Sequence, residues 1–364
     1  MEGVVIKADF WRGRRVFLTG HTGFKGAWTS LLLRRLQAKV IGYALPPDSP
    51  NSLFDLTEVS AGLEHKIGDV RDLPTLQSAL QQAEPEIVVH MAAQSLVRRS
   101  YADPVETYST NVMGTVNLLE AVRHTPSVRA VVVVTSDKCY ENVNWVWGYR
   151  ETDHLGGHDP YSNSKGCAEL VVTSYRRSFF GEKNSAVIAS ARAGNVIGGG
   201  DWARDRLVPD AMRAFMANMP LRIRNPQAVR PWQHVMDPVM GYLLLAERLF
   251  TSGKAFAEAW NFGPSVDSEV PVSTVVSGLA GLWGSDARWE RDGGEHPHEA
   301  AYLKLDCSKA FARLSWRPLV SLDEALTLTV SWYRALASGA DIRGPTETQI
   351  EAMLERAAAC SARA

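Results

Sequence analysis

The stretch VFLTGHTGFKGAW, Val16–Trp28, sets Gly20, Gly23 and Gly26 at every third position between a short apolar run and an amphipathic one. Val16–Thr19 reads as a strand and Ala27–Leu36 as the helix that follows it. Glycines at this junction permit a tight turn, let the backbone approach a pyrophosphate and let the helix pack on the sheet. The unpaired N–H groups and the positive end of the helix dipole then face the anion. The segment predicts a dinucleotide-binding loop. His21 and Lys25 lie inside it, and each either touches phosphate or ribose or faces solvent.

Outward from the loop the rhythm repeats. Val40–Tyr43, Leu73–Ala83, Ile87–His90, Val105–Val122, Val131–Thr135, Ser162–Phe180 and Ala186–Ser190 alternate short apolar runs with longer amphipathic ones. Strands that are apolar throughout, separated by helices, predict a parallel sheet covered on both faces. The fold class expected is α/β, a Rossmann-like doubly wound parallel sheet with a smaller C-terminal α/β lobe. After Arg192 the text turns rich in Gly, Pro and Trp (GNVIGGGDW, RNPQAVRPWQHV), with a helical run at Pro238–Leu249 and a second irregular stretch from Trp260. The cofactor domain is therefore expected at residues 10–193, with 231–259 returning to it, and the substrate lobe at 194–230 and 260–364. A last helix is expected from Pro345, with Thr346 and Gln349 as its capping box and no part in the chemistry.

Length and charge narrow the class of function. The chain has 364 residues, 45% of them hydrophobic, enough for a sizeable core. With 39 basic against 40 acidic residues and no long single-sign run, neither nucleic acid nor an anionic membrane is an expected partner. The apolar runs fall far short of a bilayer span, and MEGVVIKADFWRGRR has no signal-peptide core, so the expected location is the cytoplasm. Cys139, Cys167, Cys307 and Cys360 are scattered, as reduced thiols would be. His296 and His298 lack a third ligand at suitable spacing, and no metal is expected.

Two further motifs carry chemistry. Tyr161 follows Pro160 at the start of a predicted helix, and Lys165 lies one turn later on the same face, so phenol and ammonium converge. A phenol with an ordinary pKa near ~10 becomes a base when a lysine cation, a nicotinium charge and a helix N-terminus favour phenolate. The fifth strand delivers Ser136, Asp137 and Lys138 at its carboxyl end, where open α/β sheets hold ligands. A hydroxyl suffices to hold a substrate oxygen; an adjacent acid and amine suggest a second proton transfer, as dehydration requires. The second strand ends in GYALPP, with neither an acid for a ribose 2′-hydroxyl nor an arginine for a 2′-phosphate, and NAD is favoured over NADP. Asp69 and Val70 fit an adenine contact; the alternative for this segment is a helix cap at Asp72 with no ligand.

Taken together, TGHTGFKG, HMAAQSLVRRSY, TSDKCYEN, WGYRETD, DPYSNSK, ARAGNVIGGGDW, RPWQHV and HEAAYLKLDCSKA resemble the sugar-nucleotide 4,6-dehydratases of the extended short-chain dehydrogenase type along nearly the whole chain. Relatives acting on dTDP-glucose carry Asp-Glu where this chain has Asp137-Lys138, and the lysine form is similar to the enzymes for CDP-glucose. The resemblance implies bound NAD and a redox-neutral conversion of CDP-glucose to its 4-keto-6-deoxy product. It implies Tyr161 as base, Ser136 steadying the oxygen, Lys138 at carbon 5, Asp137 at the leaving hydroxyl and Lys165 beside the cofactor. Phe24, Ala92 and Ala93 join the implied cofactor contacts. Asn195, Arg204, Arg206 and Arg230 are candidates for the diphosphate, because arginine pairs bidentately with phosphate oxygens, and Tyr302 for the base. Trp145, Trp147 and Trp232 either line that pocket or pack the protein. Val105–Val122 and Ser162–Phe180 either form a homodimer seam, as the resemblance implies, with a dimer of dimers beyond it, or bury their apolar faces within one chain. Two rivals remain: a sugar-nucleotide 4-epimerase, against which Asp137-Lys138 argues, and a silent NAD-binding regulator, against which the presence of Tyr161 and Lys165 argues.

Overall fold

The computed structural model describes residues 6–49, 51–181, 185–294 and 301–362. Strands β1 (Arg15–Thr19), β2 (Lys39–Ala44), β3 (Glu64–Ile67), β4 (Ile87–His90), β5 (Ala130–Val134) and β6 (Val187–Arg192) form one parallel sheet, joined beyond β6 by the strand Ala259–Asn261. The order is β3-β2-β1-β4-β5-β6 and then 259–261, so the winding direction reverses between β1 and β4. A crevice opens at such a reversal, outside the carboxyl ends of the strands. Thr19 pairs with Tyr43 on one side and His90 on the other, and His90 with Val133, which brings the loops after β1, β4 and β5 to one level.

Successive strand residues point to opposite faces, and both faces are covered. Phe17, Ile41, Val88, Val131 and Ile188 pack with Leu76, Leu80, Leu118 and Val172 of the helices Leu73–Ala83, Gly114–Arg123 and Pro160–Ser178. Val16, Leu18, Val40, Val89, Val132 and Ala189 pack with Leu32 and Leu243 of the helices Phe24–Arg35 and Met236–Ser252. This explains the unbroken apolar strands. The exception is β3, whose Glu64-His65-Lys66-Ile67 is mostly exposed at the sheet edge.

The segment expected as one helix at Val105–Val122 is Pro104–Tyr108, a wide π turn at Ser109–Met113, then Gly114–Arg123. Asn111 sits in the wide turn with its amide buried. It accepts from the Gln94 N–H (2.8 Å) and donates to the Gln94 carbonyl (2.9 Å) and to Ser164 Oγ (2.8 Å). A local widening that inserts a side chain into a buried network is a recurrent reason for such turns.

Past Arg192 the chain builds three two-stranded pieces: Val196–Ile197 with Gln233–His234, Val229–Pro231 with Glu269–Pro271, and Leu221–Ile223 with Trp289–Arg291. Helices Leu207–Met216 and Val272–Trp283 complete this lobe. The strand Ala259–Asn261 carries the sheet two residues beyond the boundary at 259 drawn from the sequence. The last helix is Arg343–Ala362, and the expected capping box does not form. Thr346 lies inside the helix, donating to the Ile342 carbonyl (2.7 Å) and accepting from Trp332 Nε1 (2.9 Å). Gln349 is buried and donates to the Leu328 carbonyl. Arg34–Glu347 (2.7 Å) and Arg35–Glu351 (3.2 Å) tie this helix to the one that follows the glycine loop.

Candidate active site

The glycine loop runs from β1 into the helix Phe24–Arg35. Gly20 has φ +74°, and a Cβ there would meet the Ala92 nitrogen at 2.7 Å; one on Gly26 would meet the Gly20 carbonyl at 2.0 Å. Backbone therefore lies on backbone, as a pyrophosphate cradle requires. Gly23 caps the helix without a side-chain cap bond, which leaves the N–H groups of the helix start available to an anion. Beneath the loop, Thr19 Oγ1 lies 2.7 Å from His90 Nδ1 and accepts the Met91 and Ala92 N–H groups (3.1 and 3.2 Å).

His21 is a correction to both alternatives offered for it. Its ring is fully buried under Gly42 and beside Phe54, 2.7 Å from His65 Nδ1, and burial pulls its pKa down to about 4. A neutral ring facing β2 and β3 is neither solvent-facing nor a phosphate-binding cation. Lys25 lines the cleft; burial first, then Arg206, lowers its ammonium to about 8. Asp69 is taken up by Arg71 (2.5–3.0 Å), which holds its carboxyl below the usual range; its carbonyl accepts from Tyr43, while Val70 is buried. Asp72 caps the next helix through the Thr75 N–H.

At the end of β5 the chain makes one turn, Asp137–Cys139, capped by Ser136, whose Oγ accepts from the Lys138 N–H (3.2 Å). Ser136 also donates to Asp137 Oδ1 (2.9 Å). The other carboxylate oxygen of Asp137 is buried with no partner among the described residues. Lys138 is half-buried and lines the cleft with Ser136 and Asp137. Asp159 caps the helix Pro160–Ser178 through the Ser162 N–H (2.9 Å), and this helix carries Tyr161 into the same cleft and the buried Lys165 one turn later. Burial pushes the Tyr161 phenol up to about 12, with a hydrogen bond to Ser136 and the Arg206 charge pulling the other way. Burial pulls Lys165 down to about 8, against the Glu169 carboxylate. Desolvation of the buried phenol thus opposes the phenolate that a lysine cation, a nicotinium charge and the helix start favour.

Ser136, Asp137, Lys138 and Tyr161 form the floor of a cleft of about 410 Å³, with Lys165 buried in the helix one turn after Tyr161. Asn195, Arg204, Arg206, Arg230 and Trp232 line it. Asn195 has φ +24°, and its carbonyl accepts from the Gln233 N–H. Arg206 is bound to Asp201 Oδ2 (3.1 Å) and Ser95 Oγ (2.8 Å); against the cost of burial, Asp201 and Tyr161 hold its pKa above the usual value. Tyr302 is again a correction. It stands 39% exposed at the rim, and its neighbour Leu303 lines the cleft instead. Trp145 stacks on Tyr149 and Trp147 stands in the open against Trp145, so neither lines the cleft. His296 and His298 lie outside the described residues.

Several residues escaped the sequence reading. Asp205 joins Arg98 (3.4 Å) and Arg224 (3.8 Å) across the cleft mouth, a pairing with no signature in RRSY, ARDR or RIR. Glu169 and Arg192 form a buried pair at 2.8 Å beneath the floor. Their signal was present as an arginine inside an apolar strand and a glutamate one turn after Lys165.

A sequence model of the GDP-mannose 4,6-dehydratase family matches residues 17–329. The chain belongs to this family. It is 54% identical over 342 residues to the CDP-glucose 4,6-dehydratase of Salmonella typhimurium, covering 93% of this chain and 95% of the relative. Among solved structures it resembles UDP-glucose 4-epimerase from Stenotrophomonas maltophila with bound NAD (TM-score 0.79, 20% identity, 90% of this chain and 100% of that one). It also resembles dTDP-glucose 4,6-dehydratase from Bacillus anthracis in complex with NAD (TM-score 0.75, 21% identity, 92% and 100%). At these identities the structural likenesses show the fold; the Salmonella relative bears on the chemistry. No described helix is long and apolar enough to cross a membrane.

Proposed function

We propose that this protein is a CDP-D-glucose 4,6-dehydratase, converting CDP-D-glucose to CDP-4-keto-6-deoxy-D-glucose and water with bound NAD. The observation that carries the reading is the placing of Tyr161, Ser136, Asp137 and Lys138 around one cleft, with Lys165 buried one helical turn after Tyr161, in a chain 54% identical to a CDP-glucose 4,6-dehydratase.

The glycine loop, with its bare helix start and its backbone pressed on Ala92, fits the pyrophosphate of a dinucleotide, and Phe24, Ala93 and Lys165 are the neighbours assigned to its other parts. NAD would supply a hydride acceptor for carbon 4 and a donor back to carbon 6. Tyr161 removes the proton of the 4-hydroxyl while Ser136 holds that oxygen. A phenol pushed up to about 12 needs positive charge beside it for this step, and Lys165, Arg206 and the cofactor ring are the available sources. The ketone then acidifies the carbon 5 proton. Lys138 takes that proton, and Asp137, whose second oxygen has no partner among the described residues, gives one to the departing 6-hydroxyl. This division requires Lys138 neutral and Asp137 protonated, two groups sharing one proton as a coupled pair.

Arg204, Arg206 and Arg230, with Asn195, hold the diphosphate. The protein is read as cytoplasmic and as a homodimer or dimer of dimers. Exposed Tyr101, Val105, Met113 and Leu170, on the helices that flank the site, support self-association. The test is turnover of CDP-, dTDP-, UDP- and GDP-glucose with and without added NAD, followed by mass and by the alkali-enhanced absorbance of keto sugars. Loss of water confined to CDP-glucose is expected; an isobaric product would indicate an epimerase, and NAD binding without turnover a regulator.

A further inference from the structure

We propose that Glu169 is the positioning residue that registers the two halves of the catalytic floor, the β5 terminus carrying Ser136, Asp137 and Lys138 and the helix carrying Tyr161 and Lys165. The inference rests on the dehydratase reading of those residues. Glu169 lies one helical turn after Lys165, and its side chain is 1% exposed. Its Oε1 accepts from Thr135 Oγ1 (2.5 Å), on the residue immediately before Ser136. Its Oε2 accepts from Ser190 Oγ (2.6 Å) and Arg192 Nη2 (2.8 Å), both on β6. One carboxylate thus fixes the catalytic helix to the end of the catalytic strand and to that strand's neighbour.

The network continues away from the site. Arg192 Nη1 donates to the Tyr140 hydroxyl (2.7 Å), which donates to Asn261 Oδ1 (2.7 Å), and Asn261 Nδ2 donates to the carbonyls of Tyr149 and Asp306. Tyr140 belongs to the same strand-end segment as Lys138, so that segment is held on both sides. Burying an ion pair is costly and gives little net stability, so its presence under a reactive floor points to a demand for fixed geometry.

Glu169 also sets the charge that faces Lys165. Around that ammonium stand Cys139 from the turn after β5, whose thiol is pushed up by burial, and His90 from β4, whose ring is pulled down to about 3. Tyr161 and Lys25 supply no anion while the phenol stands near 12. Burial opposes the charge on Glu169, yet Arg192 and the two hydroxyls hold its carboxyl below the usual range. It is the one carboxylate acting on Lys165 among the described residues.

The test is the pH dependence of kcat and KM for CDP-glucose in the full-length protein, for wild type, Glu169→Gln, Glu169→Asp and Thr135→Val, each with its thermal midpoint. Wild-type kcat is expected to fall above pH about 8 as Lys165 loses its proton. Glu169→Gln should move that alkaline limb about one unit lower and reduce kcat at pH 8 about tenfold, with KM changed less than about twofold. Glu169→Asp keeps the charge and should restore the limb while kcat stays depressed. Thr135→Val keeps every charge and should lower kcat with the limb unmoved, its midpoint falling by the loss of one bond to a buried carboxylate; it decides the matter if Glu169→Gln does not fold. An unmoved limb in a folded Glu169→Gln, or wild-type kcat in Thr135→Val, would reduce Glu169 to a structural partner of Arg192. No keto sugar from the wild type at any pH would sink the dehydratase reading instead.

Discussion

The floor of the cleft and its mouth are built on different physical terms. At and beneath the floor, Tyr161, Lys165 and Asp137 are buried on capped helix starts, and the glycine loop is fixed by backbone pressed on backbone. At the mouth, Arg98, Arg224 and Asp205 are partly exposed and paired at 3.4–3.8 Å, where water screens what they gain from each other. Floor substitutions should therefore alter rate and stability steeply, and mouth substitutions should alter apparent affinity mildly.

The steepest test is Tyr161→Phe, which removes the base and leaves the ring. It should lower kcat for keto-sugar formation about a thousandfold while KM stays nearly constant, within the range for loss of a positioned acid–base group. A comparable loss from a mouth residue would break the contrast.

Acid should reach the floor next. His21, His90 and His234 are buried, with burial pulling them to about 4, 3 and 4. The unfolded chain binds protons on these rings below its ordinary pKa of about 6.5 while the folded chain does not, so stability is lost as pH falls through that value. Buried Asp237, pushed up by burial to about 7, works in the opposite direction over the same range. Among these four groups the three rings outweigh the one carboxyl, so stability is expected to fall from pH 7 to 5, readable by denaturant titration.

Gly26→Ala drives a methyl group into the Gly20 carbonyl and should cost about 2 kcal/mol, with weakened NAD binding by calorimetry. The smallest effect is expected from Arg204→Ala at the exposed mouth, a KM rise of about fivefold at near-constant kcat, matching the ~1 kcal/mol of a screened contact. A Gly26→Ala protein as stable as wild type would mean that the loop has slack where the cradle requires none.

The same division separates what the sequence makes legible from what it hides. The floor is written in residues that the backbone itself demands: glycines where nothing else fits, and Tyr161 and Lys165 one helical turn apart. The apolar strands are legible because both faces are covered, whereas β3, Glu64–Ile67, is an exposed edge and carries no apolar pattern. His21 lies in a legible loop, but whether a loop side chain points out or in depends on Gly42 and His65, which arrive from other strands. Thr346 reads as a cap because only the fold brings Trp332 to its hydroxyl. The mouth pairs join Asp205 to Arg98, more than a hundred positions away, and to Arg224, past the helix Leu207–Met216, and no spacing announces them.

The central claim is tested most directly with CDP-glucose deuterated at carbon 4, incubated with the protein and NAD and analysed by mass and NMR. A 4,6-dehydratase is expected to release one water and to carry the label to carbon 6 of a 4-keto-6-deoxy sugar. An unchanged mass with the label still on carbon 4 of an inverted sugar would contradict it.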